Sequence, residues 1–300
     1  LFRKILGSAD VFLQNLAPDA VARLGFDPTK LIKDFPELII CSISGYGDEG
    51  PYRTQKAYDL LVQAETGLCS ITGLDDELTR VGVSVSDIAA GMTAHQEILQ
   101  ALFARERDPK KAGRLINVSL FHSTADWMNV PYLQHKYGNF TPKNDGLKHP
   151  SIVPYGAFVC GDKKKILLSI QNEREWKAFC ERVLDKETLA NHEKFCTNSR
   201  RLENREELET LITSHFSLAD SEGIIRKLVA ANIAYGRVSD LNDLATHPQN
   251  RYRSIDTGKG VIQALGRGAQ VEGSSAKTAP VPELGQHNNK IREEFQKINE

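Results

Sequence analysis

Between Leu38 and Met128 the period of the hydrophobic pattern changes several times, and those changes limit the chain to few folds. LIKDFPELIICSISGYG gives a helix end, a break at Pro36 and a short apolar strand from Leu38 to Ile43, closed by Gly45 and Gly47. Val81, Val83 and Val85 alternate with small or polar residues, which predicts a half-buried strand. From Ile88 the spacing turns helical, with Ile88, Met92, Leu99, Leu102 and Phe103 on one predicted face. GRLINVSLFHSTADWM then begins as a strand, Leu115 to Leu120, and becomes helical. Strand, helix, strand and helix in succession predict an α/β fold with a parallel sheet. Ligands of such sheets bind beyond the carboxyl ends of the strands, where Gly45 to Gly47 and Asp87 both fall.

Composition removes several classes of function. The 300 residues carry Lys+Arg 38 against Asp+Glu 39, a net charge of -1, so no overall basic field points to nucleic acid. No apolar run reaches the roughly 20 residues of a membrane span, and no signal peptide is legible. Cys41, Cys69, Cys160, Cys180 and Cys196 are scattered and odd in number, without CxxC pairs. That pattern fits reduced, mostly buried thiols in a cytoplasmic protein, and no metal site is expected.

Asp87 is the candidate reactive group. At a helix start a carboxylate is held ionised by free amides and the helix dipole. The competing reading is a cap, with Ser86 or Asp87 accepting bonds from the first-turn amides. His122 and Asp126, four apart, could form a dyad, although isolated pairs of this kind also serve structure. Trp127 and Met128 read as packing residues. Arg23, Arg53 and Lys56 are candidate anion ligands, against the alternative of solvated surface charges. The opening FRKILGSADVFLQNL reads as a helix end, a stop at Gly7 and a buried strand from Val11 to Leu13.

Past Tyr137 the composition turns polar, and YGAFVCGDKKKILLSIQN reads as a hairpin turning at Gly161 and Asp162. EREWKAFCERVL places Trp176, Phe179, Val183 and Leu184 on one helix face, and further helices follow in ELETLITSHF and GIIRKLVAANI. This second region is expected to be a small α+β domain.

Several stretches together resemble one family. GYG..GP from Gly45, KAYD at Lys56 to Asp59, the TG turn at Thr72 and Gly73, and SDIAAG from Ser86 to Gly91 are similar to class III CoA-transferases. That family takes in formyl-CoA transferase, carnitine CoA-transferases and α-methylacyl-CoA racemases. QNLAPDAVARLGF, Gln14 to Phe26, resembles its ENF.PG....RLG segment, and PELGQHNNKI, Pro282 to Ile291, its PELGQHT..I closing signature. The resemblance covers nearly the whole chain.

The resemblance implies a nucleotide-binding-like parallel sheet domain over 1–136, lacking the strand and helix that relatives carry before Leu1. It implies a small α+β domain with linker over 137–235, and a return of 236–300 to the large domain in an interlocked homodimer. Asn15, Leu16, Ala17, Arg23, Lys56, Ala57, Tyr58 and Asp59 match CoA-contacting positions. The substrates implied are coenzyme A esters and a small carboxylic acid, with no permanently bound cofactor. Asp87 is the implied nucleophile, passing through anhydride and thioester intermediates. ADWM is similar to the subgroup acting on C4 and C5 dicarboxyl-CoA esters such as mesaconyl-CoA and succinyl-CoA. In relatives a mobile glycine-rich strap covers the aspartate. The matching stretch here, GLKHPSIVPY from Gly146, holds one glycine, and His149 and Ser151 are candidate ligands of a substrate carboxylate instead. Tyr58 stands where racemases carry histidine, which favours transfer over the alternatives of a racemase with Asp87 as base or an inactive CoA-binding homologue.

Overall fold

A computed structural model describes the chain except for Pro18, Asp75, Asp76, 274–277 and 297–300. Pro18 of the Gln14 to Phe26 segment and the end of the tail therefore lie outside the described residues. The chain divides into two compact units, Leu1–Gly146 and Leu147–Glu300.

In the first unit the order is α1 (Phe2–Leu6), β1 (Val11–Gln14), α2 (Ala20–Arg23), α3 (Pro28–Asp34), β2 (Ile39–Ser44) and α4 (Asp59–Glu65). There follow a two-residue hairpin, β3 (Gly73–Leu74) with β4 (Glu77–Leu78), then α5 (Val85–Arg107), β5 (Leu115–Ser119), α6 (Leu120–Trp127) and α7 (Asn129–Tyr137). The sheet is parallel in the order β1-β2-β5, with Val11 opposite Ile39 and Ile40 opposite Leu115. Leu6, Leu31, Leu38 and Ile40 pack α1 and α3 on one face. Cys41, Val118, Ala90 and Ala94 pack α5 on the other. Covering both faces of a parallel sheet lets β2 read as a continuous apolar run. The expected α/β class is thus observed.

Three local expectations are overturned. The Val81–Val85 alternation is not a strand: residues 79–84 form a loop and helix begins at Val85. The alternation finds no neighbouring strand to pair with. The face expected to pack α5 is turned outward, with Ile88 46%, Met92 63% and Phe103 59% exposed, while Ala89, Ala90, Ala94 and Ala101 are buried. Alanines allow close approach of helix to sheet, so the small residues take the inside. Leu13 and Trp127 are exposed rather than packed.

Arg105 fixes the far end of α5. Its guanidinium reaches Asp10 Oδ1 at 2.6 Å and the carbonyl of Glu37 at 2.9 Å, both just ahead of strands. The helix therefore runs antiparallel to the strands and delivers its first turn, with Asp87, to their carboxyl ends. It stops at Arg107 because Asp108 precedes Pro109, which disfavours helix.

The second unit carries the antiparallel sheet β6 (Tyr155–Val159), β7 (Lys165–Ser169) and β8 (Ala234–Arg237). The connections are α8 (Glu173–Arg182), α9 (Asn198–Glu203), α10 (Arg205–Phe216) and α11 (Ser221–Ala230). Trp176, Phe179, Val183 and Leu184 are buried together with Leu208, Ile212, Phe216 and Leu228, as the expected α+β core requires. Cys160 and Cys180 sit in this core, where burial pushes their thiols up to about 11 and about 12 and keeps them protonated. The unit also takes in α12 (Leu241–Ala245), the exposed hairpin of β9 (Tyr252–Asp256) and β10 (Val261–Leu265), and α13 (Asn288–Gln296).

Candidate active site

Every strand of the first sheet ends at one cavity. Asn15, Leu16 and Ala17 follow β1, Ile43 to Gly45 end β2, and Leu120 follows β5; all line a space of about 380 Å³. The segment Gln55–Asp59 and Asp87 complete its wall. What lets the 55–59 segment lie against the end of β2 is Gly45. A Cβ on Gly45 would stand 2.2 Å from that of Ala57, closer than two carbons can approach. Gly47, at φ 106°, opens the turn beyond it, and its amide donates to Ser44 Oγ at 3.1 Å.

Seven of the eight expected CoA positions, Asn15 to Ala17 and Lys56 to Asp59, are thus brought together with Asp87. Arg23 is not among the lining residues; it is exposed on α2. Arg53 lies 3.6 Å from Asp19 in an exposed ion pair. Tyr58 is 71% exposed, which excludes a packing role within this chain.

Asp87 is the third residue of α5, inside its first turn, rather than the cap. The cap position belongs to Ser84, whose side chain makes no capping bond. Asp59 supplies the missing acceptor from α4: its Oδ1 takes the Ser86 N–H at 2.8 Å. Asp87 is exposed as a residue, yet the protein packed around its carboxyl raises the pKa above the ordinary value, and the like charge of Asp59 adds to it. Partial desolvation and the second carboxylate thus both disfavour the ionised form of Asp87.

Sequence reasoning missed Gln63, which is fully buried and bonds to both Asp59 and the 79–84 loop. Its four-residue spacing from Asp59 is legible, but Leu60 and Leu61 beside it suggest the opposite helix face as the inner one.

His122 and Asp126 do not form a dyad. His122 Nδ1 lies 2.7 Å from Ser119 Oγ, while Asp126 Oδ1 accepts from Asn129 at 2.9 Å. Both face a separate space of about 990 Å³ beside β5 and α5. Among the described residues no cluster of three His, Cys, Asp or Glu could hold a metal ion, and no helix is long and apolar enough to cross a membrane.

In the second unit His149 and Ser151 lie on the loop before β6. His149 Nδ1 accepts from the amides of Ser151 and Ile152 at 3.2 and 3.1 Å, and its ring stacks on Tyr155. With Nδ1 an acceptor, the neutral ring carries its proton on Nε2. Arg205 donates to the His149 carbonyl at 2.7 Å and Asn198 to that of Ser151 at 2.8 Å, so the loop is tied to α9 and α10.

The three parallel strands thus end at one cavity that holds the Asp87 carboxyl together with Asp59 and Lys56. The family model of CoA-transferase family III matches residues 1–288, and the chain belongs to that family. It is 31% identical to an acyl-CoA transferase of Fusarium pseudograminearum, over 98% of this chain and 66% of that protein. It is 30% identical to acetyl-CoA:oxalate CoA-transferase of Acetobacter aceti, over 98% and 76%. With succinyl-CoA:glutarate CoA-transferase of Mus musculus it shares 29%, over 100% and 70%. The chain thus spans two thirds to three quarters of the length of these relatives. A crystal structure of a CAIB/BAIF family protein from Brucella suis superposes with a TM-score of 0.83 at 26% identity, covering 98% of this chain and 77% of that one.

Proposed function

We propose that the protein moves CoA from an acyl-CoA thioester to a small dicarboxylic acid, with Asp87 as nucleophile. The observation that carries this reading is the Asp87 carboxyl, raised in pKa, in the cavity lined by the residues of the CoA-contacting motifs. One Asp87 oxygen attacks the thioester carbonyl; a C–O bond forms, the C–S bond breaks and CoA thiolate leaves, giving a mixed anhydride. The thiolate then attacks the Asp87 carbonyl, the donor acid departs with the bridging oxygen, and an aspartyl-CoA thioester remains. The acceptor carboxylate displaces the thiolate from it, and the thiolate returns to the acceptor carbonyl, releasing the new thioester and the Asp87 carboxylate. Every step exchanges acyl groups of similar reactivity, so no permanently bound cofactor takes part.

Lys56 is the cation of the cavity and suits a phosphate of CoA. Nε2–H of His149 and the Ser151 hydroxyl suit the free carboxylate of a dicarboxylic acid. Relatives named for oxalate and glutarate support a dicarboxylate. In this reading two copies interlock. The racemase alternative needs two free bases flanking one carbon. Asp59 is poorly suited as the second, because its two oxygens accept from Ser86 N and Gln63 Nε2. The test is an acceptor panel with succinyl-CoA as donor. Transfer to C4 and C5 dicarboxylates is expected to exceed transfer to acetate or butyrate by about 10- to 100-fold, the value of a hydrogen bond to a charged group. Reaction of monocarboxylates alone contradicts the acceptor class.

A further inference from the structure

Gln63 is a polar side chain with 0% exposure on a helix whose Leu60 and Leu61 are 47% and 49% exposed. Turning an amide inward in place of leucine is unfavourable unless every polar atom finds a partner. Here each does. Oε1 accepts the Val81 N–H at 2.9 Å, and Nε2 donates to Asp59 Oδ2 at 2.8 Å and reaches the Val83 carbonyl at 3.5 Å. Asp59 in turn accepts the Ser86 N–H at 2.8 Å through its other oxygen.

These bonds tie the middle of the 79–84 loop and the first turn of α5 to α4. They also have a fixed polarity. The Val81 N–H can only donate, so it selects the amide oxygen; Nε2 then faces Asp59, whose two oxygens accept from Gln63 and from Ser86. The residue after Ser86 is Asp87.

We propose that Gln63 is a positioning residue: through Asp59 it sets how the chain enters α5 and hence where the Asp87 carboxylate stands in the cavity. The proposal rests on Asp87 being the nucleophile. Gln63 itself is buried and touches no reacting atom. Its position explains why Asp59 stays beside Asp87 although two like charges repel: the carboxylate is held there by donors from α4 and α5. The ionisable residues lining the cavity with Asp87 are Asp59, Lys56 and Tyr58, and the contributions from the ends of β1 and β2 and the start of α6 are uncharged.

The test is the rate at which Asp87 becomes labelled when the protein is mixed with succinyl-CoA and hydroxylamine, followed by peptide mass spectrometry across a range of pH. Hydroxylamine nitrogen attacks the activated Asp87 carbonyl and displaces CoA thiolate or succinate, leaving a hydroxamate. Gln63→Glu keeps the shape but turns the donor facing Asp59 into a second anion. At neutral pH its labelling is expected to fall about 100-fold, the effect of a misplaced reacting group, while CoA affinity stays unchanged. Toward acid pH, protonation of the new carboxyl restores a donor, so the gap to the wild type narrows. Asp59→Asn cannot accept from both donors and carries no charge. It is expected to label more slowly, and with an acid limb moved to lower pH because the like charge raising the Asp87 pKa is gone. The acid limb of Asp59→Asn reports its lost charge, whereas a purely structural role of Gln63 would leave the labelling rate of both folded variants unchanged.

Variants that fold and label Asp87 at the wild-type rate with the wild-type acid limb overturn the proposal; if Gln63→Glu does not fold, Asp59→Asn alone decides. Absence of label on the wild type overturns the nucleophile reading, and the positioning role with it.

Discussion

Asp87 is held in a state that opposes folding. Its pKa is raised, so the folded chain binds that proton more tightly than the unfolded chain does, and stability falls as pH rises from the ordinary carboxylate value through the raised one. At neutral pH the ionised group is a net cost to the fold. Asp87→Asn is therefore expected to abolish transfer, by about 10³-fold or more, and to raise the thermal midpoint by roughly 1–3 °C. Thermal unfolding at pH 7, set beside the same scan below pH 4, checks the sign: the variant's advantage should disappear in acid. The place of Asp87 in the first turn of a helix was legible, because helical spacing begins at Ile88. Gln63 was not, because burial of a glutamine beside exposed leucines is decided by Val81, 18 residues away, and by Asp59, which is itself bonded to Ser86 27 residues beyond it.

The elements that bring the site together are anchored at both ends. Gly45 permits the contact with Ala57, so Gly45→Ala forces the 55–59 segment away from β2. Overpacking of this kind costs about 1–3 kcal/mol, read as a lower urea midpoint with weaker CoA binding. At the other end, Arg105→Met leaves the carbonyl of Glu37 unpaired and frees the last turn of α5. Its cost is about 1–3 kcal/mol in the same unfolding assay, with CoA binding retained because the cavity lies at the opposite end of the helix. The strands and helices around both residues follow from hydrophobic period. The 79–84 loop did not, because its alternating valines fit a strand only if a second strand lies alongside, and sequence period carries no information about that neighbour.

At the scale of the molecule, the outward stripe of Ile88, Met92, Leu99 and Phe103 on α5 marks a surface that water alone does not suit. The paired assembly in the proposed function predicts that the chain sediments as a dimer, and that Met92→Glu combined with Phe103→Glu shifts it toward monomer. A wild-type monomer at micromolar concentration contradicts the pairing. The α/β class was legible because whole elements signal it. Inside and outside on α5 were not, because leucine and phenylalanine at helical spacing fit a core and an interface equally well, and the alanines that pack on the sheet give a weaker signal.

The central claim is that Asp87 exchanges its own carboxylate oxygens with the acids it serves. Succinyl-CoA would be mixed with a dicarboxylate acceptor labelled with heavy oxygen in its carboxyl groups, and the peptide carrying Asp87 weighed after turnover. The account predicts heavy oxygen in the Asp87 carboxylate, since the acceptor leaves one oxygen behind each time CoA returns to it. Formation of the new thioester with Asp87 unlabelled would contradict it.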